Sequence, residues 1–132
     1  MGCDIHLHIE VRIGNQWHHW GNPKIPRWYA LFGKMVQVRH DDPDPIQRKT
    51  KGIPKELSII TQLSWDYWKP DAHHASWFGL EEIEQMGDWW GSHTSDQTCM
   101  EQQIGYFFGN SFALSKEHPE ITDIRFVFWF DN

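Results

Sequence analysis

The stretch Cys3-Asp4-Ile5-His6-Leu7-His8-Ile9-Glu10-Val11-Arg12-Ile13 places an apolar residue at every second position. Strict alternation of this kind reads as a β-strand with one face in a core. Cys3, Ile5, Leu7, Ile9, Val11 and Ile13 make the buried face. Asp4, His6, His8, Glu10 and Arg12 make the other. Neighbours on one face lie roughly 6.5 Å apart at ~3.3 Å per residue, close enough for two imidazoles to lean toward one ion.

Outward from this strand, Gly14-Asn15 is a turn and Gln16-Trp17-His18-His19-Trp20 reads as its hairpin partner. Adjacent histidines on a strand point to opposite faces, so only one of His18 and His19 can join a given site. Beyond Pro26, the positions Trp28, Leu31, Phe32, Met35 and Val36 repeat with a helical period, predicting a helix from about Pro26 to Val38. Residues 40–55 hold three prolines and mixed charge with no period, which predicts a loop that is functional, mobile or a solvated insertion. Glu56 to Trp68 reads as helix from Ile60, Leu63 and Tyr67. Lys69 to His74 reads as loop. Leu80 to Met86 reads as a short helix stopped by Gly87, followed by an irregular Asp88–His93. Thr98 and Glu101 fit a capping box for a helix reaching about Ala113. The segment 121–130 is a strand apolar on both faces, which belongs inside a sheet.

Strands near both ends with helices between them predict a single α+β domain over residues 1–132. Its small antiparallel sheet would join the N-terminal hairpin to the C-terminal strand. Helices would cover one face, leaving the Asp/His/Glu face open to a cleft.

The 132 residues carry a formal net charge of −6, which disfavours a sequence-independent grip on nucleic acid because phosphate contacts need surplus Lys and Arg. A small nucleotide, another phosphate-containing ligand or a protein partner stays open. Two cysteines make no disulfide framework, and no apolar run is long enough to cross a membrane, so a cytoplasmic setting is expected.

Three groups of residues can carry chemistry. Asp4, His6 and His8 on the first strand, with His74 from the central loop, are candidate ligands for a divalent transition metal, Zn²⁺ or Mn²⁺ foremost. Glu10 or Asp131 would then act as general base in a metal-dependent hydrolysis of a phosphate-containing substrate. The competing reading of the same face is a solvated strand surface rich in histidine. Trp77, Trp89 and Trp90 belong to an aromatic group that would stack a nucleobase or pack in the core. No phosphate loop, nucleophile elbow or zinc-type cysteine pair occurs.

The opening Gly2-Cys3-Asp4-Ile5-His6-Leu7-His8-Ile9-Glu10 resembles that of small uncharacterised proteins of bacteriophages and their bacterial hosts. Tyr29-Ala30-Leu31-Phe32, the segment 73–77 and the closing 127–132 extend the likeness. The resemblance implies a phage-type accessory protein acting in the host cytoplasm and carries no established activity. Three functions follow as expectations. They are a metal-dependent hydrolase, an anti-defence binding protein that sequesters a nucleotide signal or blocks a host protein, and an assembly partner that buries exposed tryptophans, including in a homo-oligomer.

Overall fold

The computed structural model describes residues 2–93 and 116–132. The elements run β1 (Asp4–Ile13), β2 (Gln16–Gly21), α1 (Tyr29–Val36), α2 (Ile59–Trp68), β3 (Ala72–Phe78), α3 (Leu80–His93) and β4 (Ile121–Asp131). The expected helix over 98–113 lies outside the described residues. The strands form one antiparallel sheet in the order β2-β1-β4-β3, so the fold is α+β with the hairpin and the last strand joined as predicted.

β4 is central, and Ile124 to Phe130 are buried without interruption. Such a run requires cover on both faces. On the first face, Ile5, Leu7, Ile9 and Val11 of β1 meet Phe126, Phe128 and Phe130 of β4. Leu31, Phe32, Met35 and Val36 of α1 and Ile83, Met86 and Trp90 of α3 close that core. Burying each such large side chain stabilises the fold by about 1.5–3 kcal/mol before entropy is counted.

α2 lies across the second face, so His8 and Glu10 of β1 are roofed and His6 is partly covered, while the Asp4 end stays open to a cleft. Ser64 reaches His8, Trp65 packs on Trp129, and Trp68 packs on His6. α2 is amphipathic in the unusual sense. Hydroxyl and indole groups face inward, where the sheet is polar. Ile59, Ile60, Leu63 and Tyr67 point outward, 71, 49, 60 and 75% exposed.

Four local readings are corrected. α1 begins at Tyr29 rather than Pro26, with Trp28 still extended, and Arg27 is drawn back to Asp4. Residues 72–74, expected in a loop, open strand β3. α3 does not stop at Gly87. It continues to His93 because Met86 and Trp90, four apart, both bury against the core, which offsets the ~1 kcal/mol cost of a helical glycine. Residues 88–93 are therefore helical rather than irregular.

The segment over 40–55 is pinned at several points. Ile46 and Gln47 donate backbone N–H groups to Lys34 and Met35 of α1, and Gly52 donates to Ala75 of β3. Gln47 is buried, donating to the Trp77 carbonyl and accepting from Ser76 Oγ. The α1 end also demands Gly33, because a Cβ there would sit 2.6 Å from the His40 carbonyl oxygen.

Candidate functional site

The second sheet face holds every polar residue that the first strand contributes, and it divides into three groups along β1. At the first end, Arg27 grips Asp4 with two hydrogen bonds, Nε to Oδ1 at 2.7 Å and Nη2 to Oδ2 at 3.2 Å. That hydrogen-bonded guanidinium holds the Asp4 carboxyl below the usual aspartate range. One step along, His6 Nε2 lies 2.7 Å from Asp131 Oδ2. The His6 ring lies 4.2 Å from that of Trp68, centroid to centroid. A cleft of about 470 Å³ opens beside Asp4 and His6, lined also by Asn22, Lys24 and Ile25.

In the middle, His8 is buried and makes two side-chain contacts. Its Nδ1 lies 3.0 Å from His19 Nε2 and its Nε2 lies 3.1 Å from Ser64 Oγ. Burial lowers the His8 pKa to about 4, and the nearby His19 imidazole pushes the same way, against the opposing pull of Glu10. His19 is lowered as well, again chiefly by burial. The pair is therefore neutral near pH 7 and shares one N–H···N bond. Trp129 lies beside His8, and its buried indole N–H meets no acceptor among the described residues.

At the far end, Glu10 is completely buried. Its Oε1 accepts Arg125 Nε at 2.8 Å and its Oε2 accepts the Ser58 backbone N–H at 2.7 Å. Ser58 is the N-cap of α2, so the carboxylate also meets the positive end of that helix. Arg125 donates further to the Glu56 carbonyl, and its guanidinium carbon lies 3.8 Å from the Trp17 ring centre. These contacts satisfy a carboxylate that would otherwise be very costly to bury.

The sequence-predicted site residues are thus positioned as follows. Asp4, His6 and His8 share one face, but each is engaged by a different partner. His74 lies on edge strand β3, beyond β4, with its backbone at φ 51° in the irregular register between His73 and Ser76. Its Nδ1 lies 2.8 Å from His73 Nδ1, and burial lowers its pKa. Two strand spacings put β3 roughly 10 Å from β1. Among the described residues no three His, Cys, Asp or Glu side chains converge as a metal cluster. The arrangement engages both oxygens of Glu10, the first candidate base, in structural bonds. Asp131 is held by His6.

The three tryptophans do not share one cage. Trp77 projects from the α2 side of the sheet, with Lys51 Nζ 3.4 Å from its ring centre. Trp89 and Trp90 sit on α3 over the other face. Trp90 is in the core, edge-on to Trp28, and Trp89 stacks on His93 at 4.1 Å. Sequence reasoning passed over Ser64, Arg125 and the outward row of α2. Arg125 carried a signal as a lone cation within an apolar strand, and Ile60, Leu63 and Tyr67 carried one as a helical stripe.

No helix among the described residues is long and apolar enough to cross a membrane. Comparison with protein-family models, curated proteins and solved structures finds no match to the chain.

Proposed function

We propose that this chain is a non-catalytic binding protein, of phage-accessory type, that engages a protein partner through the outer face of α2. One observation carries the reading. Ile59, Ile60, Leu63 and Tyr67 stand one, three and four positions apart on one side of a helix and are all about half exposed or more. Apolar side chains grouped on a surface mark interaction sites, and this spacing suits a helix laid into an apolar groove. Gln62, Asp66 and Lys69 bond to one another beside the row and form a polar rim. The internal commitments of Asp4, His6, His8 and Glu10 favour binding over catalysis.

The test uses a photo-crosslinking residue at position 63 or 67 and a control at exposed Glu81 on α3. The reading expects the first two to capture one host protein that the control does not. The purified captured protein should then bind the wild type and lose binding to Leu63→Glu/Tyr67→Glu, whose melting curve stays unchanged. Equal binding by wild type and double variant overturns it.

A second reading keeps strand chemistry. His8 and His19 present neutral ring nitrogens 3.0 Å apart. That separation suits two imidazoles on one Zn²⁺ or Mn²⁺ ion, which would supply Lewis-acid chemistry toward a phosphate-containing substrate. Metal analysis of untagged protein tests it. A stoichiometric metal lost in His19→Ala supports it, and metal-free protein overturns it.

A further inference from the structure

We infer that the chain forms a two-fold dimer by pairing the β2 edge of one copy with β2 of another, independently of the α2 face. The two sheet edges are treated differently. The β3 edge is guarded: Gly52 N–H bonds Ala75, Gln47 bonds the Trp77 carbonyl, Lys51 N–H bonds Ser76 Oγ, and the register is broken between His73 and Ser76. Covering loops and bulges are the devices that keep an edge from pairing. β2 is the other edge; among the described residues its ladder is with β1, and its register shift, at Trp20, lies past the Trp17–His19 stretch.

The geometry of the hairpin identifies the backbone groups that point away from β1. Gly14 has φ +62° and Asn15 is not left-handed, the pattern of a two-residue type II′ turn. Ile13 and Gln16 close that turn as a hydrogen-bonded pair, and Val11 with His18 is the next such pair. Trp17 and His19 therefore aim their N–H and C=O groups away from β1, at the open edge. A two-fold axis through His18 sets Trp17 opposite His19 of the second copy, and His19 opposite its Trp17. That register uses all four outward groups in four N–H···O=C bonds. His18 then faces His18 of the second copy across a non-hydrogen-bonded position, with Cα atoms about 4.5 Å apart.

The chemistry of the strand fits its own copy. Gln16-Trp17-His18-His19-Trp20-Gly21 carries no Lys, Arg, Asp, Glu or Pro, the residues that blunt an edge. The Trp17 ring is held in place by Arg125 beneath it. Ile13, exposed beside the turn of the hairpin, adds apolar surface next to the edge.

Light scattering over a concentration series tests the dimer, using His18→Lys and His18→Glu. His18 is exposed, so both variants should keep the wild-type melting curve. The wild type should show twice the chain mass. Each variant should dissociate at least about tenfold more readily, because like charges face each other across the axis. An equimolar mixture of the two should recover the dimer. Amide exchange at Trp17 and His19 should slow as the wild-type concentration rises. A wild type monomeric at every concentration overturns the inference. A dimer that neither variant weakens also overturns it, and Leu63→Glu/Tyr67→Glu then shows whether α2 holds that dimer. If a variant fails to fold, the wild-type exchange of Trp17 and His19 decides alone.

Discussion

Arg125 and Glu10 sit side by side on neighbouring strands, 2.8 Å apart, with 7% and 0% of their side chains exposed. The pair ties β1 to β4, and through Ser58 and Glu56 it fastens the start of α2 to both. Removing one member leaves the other buried and charged. Glu10→Gln or Arg125→Met should each destabilise by about 3–5 kcal/mol. The double variant should lose less than the sum, and chemical denaturation of the four proteins measures the coupling.

Acid should loosen α2 before it unfolds the rest. An unfolded histidine takes up a proton near its ordinary value of 6.5, whereas folded His8 does so only near 4. The unfolded state thus binds more protons between those values. The His8 contribution is complete above about pH 6.5 and falls by about 3 kcal/mol as pH drops toward 4. His19 acts in the same direction. Urea midpoints measured across this window should fall with pH, and His8→Gln should flatten the slope.

Gly33→Ala should destabilise by about 1–3 kcal/mol despite the helix preference of alanine. The added methyl meets the His40 backbone rather than a movable side chain. Thermal melts check this, and an unchanged melt would show that the turn after α1 yields freely.

Cys3 should resist alkylation in native buffer. It is fully buried, and burial raises its thiol pKa, so little thiolate forms and reagents reach it only through opening. In a Cys99→Ser background, its labelling rate should rise with urea in step with loss of β1. Rapid native labelling would contradict the packing of β1 against Tyr29, whose hydroxyl accepts the Cys3 N–H.

What could be read from sequence followed from period and run length. The alternation of β1 and the two-sided apolar run of β4 each predict burial on their own, and both strands are where they were expected. β3 was hidden because Ala72-His73-His74-Ala75-Ser76 has no β-branched residue and its register breaks at His74. α3 outran Gly87 because tertiary burial of Trp90 outweighed local propensity. The roof over His8 and Glu10 was least legible of all. α2 shows its apolar residues to solvent, so a helical stripe that normally points to the core points away from it here. His6, His8 and Glu10 were correctly placed on one face, but their partners Asp131, His19, Ser64 and Arg125 come from three other elements, which no local spacing encodes.

The pairing of β1 with β4 also has a kinetic side. Glu10 and Arg125 are 115 residues apart in sequence, and every β1–β4 contact closes a loop of similar size. Contacts that distant bring little reward until the loop entropy is spent, so folding is governed by the search for this one register. Until β4 docks, β1 and β2 form a lone hairpin with an aliphatic row on one side. A hairpin of that kind is marginal in water. The long wait for the central strand makes the nascent sheet the most aggregation-exposed stage in the life of the molecule.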